Sequence, residues 1–72
     1  MNYSVAQLDL KNRRRYILSS IRSHTEMNIW LNNNGNKEYI YEVWKLGLLH
    51  SRWKWKNKRQ KWGRMGTPQH IV

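Results

Sequence analysis

The chain of 72 residues contains five tryptophans and four tyrosines but no cysteine and no phenylalanine, and this limits what it can fold into. A domain of this length buries only roughly 60% of the surface its unfolded chain exposes, so its stability is marginal. Without cysteine, neither a disulfide nor a thiolate metal site can supplement the core. Apolar packing has to hold the fold, and each large aromatic can bury roughly 150–250 Å². Trp30, Trp44, Trp53 and Trp55 are therefore expected mainly in packing, with Trp62 partly exposed.

Charge sets the second constraint. Fourteen Lys and Arg face four acids, a formal net charge of +10. A surface of this kind attracts a polyanion, either nucleic acid or an acidic face on a nucleic-acid machine. The plain alternative is that the charge keeps a tryptophan-rich chain soluble. The first twenty residues hold Asp9, Lys11, Arg13, Arg14 and Arg15 without a long apolar region, so no signal peptide is expected. No apolar stretch approaches a membrane span, so no membrane partner is expected. Absence of cysteine fits a cytoplasmic location.

Few residues suit chemistry. The acids Asp9, Glu26, Glu38 and Glu42 are scattered and no glycine-rich phosphate loop is present, so no catalytic set and no enzyme activity is expected. His24, His50 and His70 lack paired spacing, so no metal and no cofactor is expected.

Along the chain, Met1 to Leu8 reads as a loose segment or a short edge strand. Asp9 reads as a helix N-cap, and the spacing of Leu10, Ile17, Leu18 and Ile21 predicts a first helix over Leu10–Ser23. Thr25 is the next capping candidate, opening a short second helix with Met27, Ile29, Trp30 and Leu31, which Asn32-Asn33-Asn34-Gly35 stops. Asn36 can cap a third helix, Lys37–Leu46, burying Ile40, Val43, Trp44 and Leu46, with Gly47 at its end. From Leu49 to Lys56 the period becomes two. Leu49, Ser51, Trp53 and Trp55 alternate with His50, Arg52, Lys54 and Lys56, which predicts a strand with one cationic face. Asn57-Lys58-Arg59 supplies a tip, Gln60–Met65 the return strand, and residues 66–72 a flexible tail.

This order resembles the winged helix-turn-helix family. The resemblance rests on Thr25-Glu26-Met27-Asn28-Ile29, Ile40 with Val43, Gly47-Leu48-Leu49 and the Arg52 to Arg64 hairpin. It implies an α+β fold of three helices followed by a two-stranded β-hairpin, with residues 9–65 as the winged-helix-like domain. It also implies that Lys37–Leu46 enters the major groove while Lys56, Lys58, Arg59 and Lys61 on the wing meet phosphates. Residues 55–62 are also similar to the end of a homeodomain recognition helix, which would place Asn57, Arg59 and Trp62 on a helix. Arg22 and Glu26 stand where that family has apolar core residues, which favours the hairpin.

Glu38 and Glu42, at i and i+4, would turn two negative charges towards DNA on such a third helix. Pairing with Lys37, Lys45 or arginines is the plain reading, and a protein partner is the functional one. In size, charge and tryptophan content the chain looks like phage-encoded regulators of host RNA polymerase. That resemblance implies a transcription regulator in the host cytoplasm that inhibits initiation and antiterminates. The expectation is a monomer that binds RNA polymerase through Asn2, Tyr3, Ser4 and Val5, added to a partner's sheet edge, and through Arg13, Arg14, Arg15, Glu38, Tyr41 and Glu42. Duplex DNA is the alternative partner, bound by Lys54, Lys56, Lys58, Arg59, Lys61 and Arg64. A small RNA-binding or ribosomal protein is a further alternative.

Overall fold

The structure, a computed structural model, describes residues 2–65. The expected tail over 66–72 lies outside them. The chain runs β1 (Tyr3–Leu8), β2 (Arg14–Ile21), α1 (His24–Asn34), β3 (Ile40–Lys45), β4 (Leu48–Lys56) and β5 (Lys61–Met65). The strands form one antiparallel sheet in the order β2-β1-β3-β4-β5. β2 and β3 flank β1 and run parallel to each other, and α1 is the crossover between them.

This overturns the expected three helices and hairpin. Of the expected helices only the second is present, and Leu10–Ser23 and Lys37–Leu46 are instead turns leading into β2 and β3. The chain therefore lacks a winged-helix recognition helix over Lys37–Leu46. β2 was misleading because its pairing with β1 is irregular. Tyr3 faces Ile21, Val5 faces Leu18 and Ala6 faces Tyr16, so extra residues bulge out on the β2 side. The bulges put Leu18 and Ile21 on the same face at a spacing of three, which imitates a helix. In β3 both faces are largely apolar, so its period of two is masked.

The turns account for the other reassigned residues. Asp9 caps the β1–β2 turn and not a helix, its Oδ1 accepting from the N–H groups of Lys11 and Arg13 at 2.8 and 2.9 Å. Leu46 and Gly47 both have positive φ, 52° and 77°, and form the two-residue turn of the β3–β4 hairpin, so Gly47 ends no helix. Asn36 caps a turn, with its Oδ1 accepting from the Glu38 N–H. β1 has neighbours on both sides and is not an edge strand.

In α1 the N-cap is Ser23, not Thr25. The Ser23 hydroxyl accepts from the Glu26 N–H, and the Glu26 carboxylate accepts from the Arg22 N–H. The Ser23 cap is worth about 1 kcal/mol, and the Glu26 carboxylate bonds the residue before the cap and not the cap itself. Gly35 ends the helix in extended backbone and not in the left-handed form. Glycine is needed there for close packing, since a Cβ would come within 2.5 Å of Trp62 and 2.7 Å of the Leu31 carbonyl.

α1 reaches both edge strands, β2 and β5, so the sheet curls about the helix. Val5, Ile21, Met27, Leu31, Tyr41, Val43, Trp53 and Trp62 fill the space between them. Trp30, Tyr41, Trp62 and Trp55 meet successively edge to face, with ring centroids 5.6–5.7 Å apart. Trp62 is thus core, contrary to expectation. The polar groups in this layer have partners: Ser51 accepts from the Trp53 indole, and the Tyr41 hydroxyl donates to Gln7 and accepts from the Asn36 N–H.

Candidate nucleic-acid interface

The sheet face away from α1 carries no covering layer among the described residues. Strand register places Tyr16, Ala6, Glu42, Arg52 and Met65 in one row across all five strands of this face. Beside that row lie Arg14, Leu8 and Ile40 on one side and Ser4 with Trp44 on the other. Glu42 at the centre is completely buried, although the face is uncovered.

Its cover is made of cations and an indole. Arg14 Nε donates to Glu42 Oε1 at 2.7 Å, Trp44 Nε1 donates to the same oxygen at 3.1 Å, and Arg52 Nε donates to Oε2 at 3.2 Å. Arg14 is on β2 and Glu42 on β3, so the arginine reaches across β1, where the small side chain of Ala6 lies in the row. The Arg14 guanidinium also lies over the Trp44 ring, 5.2 Å from its centroid. Burial pushes the Glu42 pKa up, but the hydrogen bonds from Arg14 and Trp44 and the charges of Arg14 and Arg52 outweigh it. The carboxyl is held below its ordinary range and is ionised at neutral pH.

The β4–β5 hairpin extends the cationic field. Lys54, Lys56 and Lys61 share the face of Arg52, Lys56 opposite Lys61 and Lys54 opposite Gly63. The Lys56 stem lies over Gly63, where a Cβ would collide with it. Lys58 and Arg59 occupy the turn, closed by the Arg59 N–H donating to the Lys56 carbonyl.

The expected nucleic-acid residues are therefore mostly brought together, with one exception. Arg64 projects to the helix side, where its guanidinium donates to His24 Nδ1 at 2.6 Å. An arginine has only donors, so this nitrogen must be the unprotonated one. Burial first, and then the charges of Arg64 and His50, lower the His24 pKa.

The expected partner-binding residues do not form one surface. Val5 and Tyr41 are core, and Asn2 to Val5 cannot extend another sheet because β1 is already paired on both edges. Tyr3 packs against that core and Ser4 is half-buried opposite Trp44. Glu38 is in an exposed turn, away from the buried Glu42, and the two do not form a helical i, i+4 pair. In the arginine triplet, Arg14 binds Glu42, Arg13 binds Asp9 through its Nε at 2.8 Å, and Arg15 is exposed opposite Gln7. Sequence reasoning missed Arg52, Trp44 and Tyr16 as site residues. Arg52 already stood in the cationic alternation of β4, whereas Tyr16 and Trp44 were hidden by the two strands read as helices.

No protein-family model, curated protein or solved structure matches the chain. Among the described residues no helix is long and apolar enough to cross a membrane. No group of His, Asp or Glu among them is placed to hold a metal ion.

Proposed function

We propose that this protein is a nucleic-acid-binding module that works by binding, and that its uncovered sheet face with the β4–β5 hairpin is the binding surface. The observation that carries this reading is the shared placement of Arg14, Arg52, Lys54, Lys56 and Lys61 on one uncovered face, with Tyr16 and Trp44 among them. Cations neutralise phosphates and release counterions, and the exposed Tyr16 ring offers a stacking surface to a base, while Trp44 is half-buried with the Arg14 guanidinium over its ring. Duplex recognition by an inserted helix is not part of the proposal, since the expected helix is β3. The test is a salt titration of binding to single-stranded and duplex oligonucleotides. Affinity should fall steeply with salt, and salt-independent or absent binding to both would end this reading.

A protein partner in transcription, RNA polymerase above all, is the second reading. It draws support from the β3–β4 turn, where Leu46 is 87% exposed and Leu48 is 66% exposed. Leu46 also has a positive φ, which disfavours leucine, so neither packing nor backbone preference accounts for it. Recovery of polymerase from nuclease-treated lysate by the unsubstituted protein, and its loss on Leu46→Asn, is the result expected on this reading.

A further inference from the structure

Glu42 is the single fully buried charge among the described residues, and it lies on the face that no described element covers. Burying a carboxylate is unfavourable, and ion pairs of this kind can often be replaced by apolar side chains without loss of stability. Packing alone therefore gives little reason for Glu42. Its geometry gives another. Each arginine uses its Nε edge on the carboxylate, with only a long second contact of 3.5 Å from Arg14 Nη2. The terminal nitrogens of Arg52, and Nη1 of Arg14, have no acceptor among the described residues, and the two side chains remain 42% and 36% exposed for Arg14 and Arg52.

We infer that Arg14 and Arg52 form a phosphodiester clamp for single-stranded nucleic acid, with Glu42 as the positioning residue that holds the two guanidiniums side by side. This rests on the nucleic-acid reading above and specifies how the centre of that face would be used. Two planar forks anchored at one edge present their remaining N–H groups outward, and such forks match phosphate oxygens. A single carboxylate compensates only one of the two positive charges, so the triad keeps a net attraction for an anion. Tyr16 lies in the same cross-strand row and is 59% exposed, and Trp44 is tied to Glu42 through its indole N–H. An exposed ring such as that of Tyr16 beside a phosphate site can engage an unpaired base, which a duplex keeps stacked inside. The preferred occupant is therefore a single strand.

Simple charge counting and the clamp predict opposite signs for one substitution. Removing a negative charge by Glu42→Gln should strengthen binding of any polyanion if only net charge matters. On the clamp it should weaken binding of a short labelled oligouridylate about fivefold, because the guanidiniums lose their anchor, while Glu38→Gln in the exposed turn should strengthen it slightly. Arg14→Lys and Arg52→Lys keep the charge but lose the fork, and each should weaken binding about tenfold. Melting curves of each variant check that it is folded. In the unsubstituted protein, the ¹⁵N resonances of the Arg14 and Arg52 side chains should shift on titration with the same probe, a readout that no folding defect affects. Unshifted arginine resonances, or tighter binding by Glu42→Gln, in a protein that still binds oligouridylate would overturn the clamp alone. Absence of any binding by the unsubstituted protein would remove the nucleic-acid reading and the clamp together.

Discussion

The two faces of the sheet are made by the same strands and yet are held by different forces. On the helix side, Tyr41, Val43, Trp53 and Trp62 pack as rings and branched chains, and the buried polar side-chain atoms among the described residues have fixed partners. On the other side the residues one position along, Glu42, Arg52 and Lys54, are ionic, and the Glu42 carboxylate is buried by charge pairing. Apolar burial is non-directional and supplies most of the stability, whereas the ionic face fixes geometry and contributes little net energy. The inner face should therefore govern whether the chain folds, and the outer face what it binds.

The strongest way to break this comparison is to remove a ring from the inner face. Trp62 contacts Tyr41 and Trp55 and sits against Gly35. Trp62→Ala should destabilise the domain by about 3–5 kcal/mol, the usual range for deleting a core aromatic. In a domain of marginal stability that is enough to leave it largely unfolded at 25 °C, visible as loss of the cooperative transition in urea.

How much of this contrast could be read in the sequence differs along the chain. β4 and its return strand were legible because the sequence alternates from Leu49 to Lys56. From Ser51 to Lys56 the strand does place apolar and cationic side chains on opposite faces, although a register break sets Leu49 opposite Trp44 on the outer face. α1 was legible in place but not in detail, since the cap lies two residues earlier than Thr25. β2 and β3 were not legible, for separate physical reasons. Bulges gave β2 a spacing of three, and β3 hides its one acid, Glu42, under two arginines brought from other strands. Glu42 could not be recognised as the centre of a site while β3 was read as a helix. The turn signal at Leu46-Gly47, between runs rich in branched and aromatic residues, was the clue that argued for strands.

Acid should separate the two faces in a single experiment of intermediate effect. His24 on the helix side has a lowered pKa, so as pH falls below about 6.5 the unfolded chain takes up that proton first and stability begins to decline. Glu42 on the outer face also has a lowered pKa. Its contribution is fully present above the ordinary glutamate value of about 4.3 and is lost as pH falls through the lower folded value. Protonating Glu42 leaves Arg14 and Arg52 without their anchor. With both arginines partly exposed, the loss should be on the order of 1–3 kcal/mol. Urea midpoints measured from pH 8 to pH 3 should show two declines. Asp9, whose pKa is lowered chiefly by the hydrogen bond from the Arg13 N–H, loses its contribution in the same acid range. Glu42→Gln should therefore shrink the lower decline without abolishing it and leave the upper, and a lower decline unaffected by that substitution would show that the outer ion cluster does not contribute to folding.

The smallest expected effect on stability is the one that most sharpens the division of labour. Lys54, Lys56 and Lys61 are exposed, and no ion pair involving them occurs among the described residues. Changing all three to Gln should shift stability by less than about 0.5 kcal/mol, and the loss of mutual repulsion between Lys56 and Lys61 makes a slight gain the expected direction. Binding should respond differently. Each phosphate contact on a single strand contributes about 0.7 to the slope of log affinity against log salt, so losing three should flatten that slope by about 2. An unchanged slope with unchanged stability would mean that the hairpin cations meet no phosphate, and the surface would then have to be sought around Arg14 and Arg52 alone. A flattened slope with unchanged stability would place binding and folding on opposite faces of one sheet, which is the arrangement that lets a marginal domain carry so much charge without unfolding.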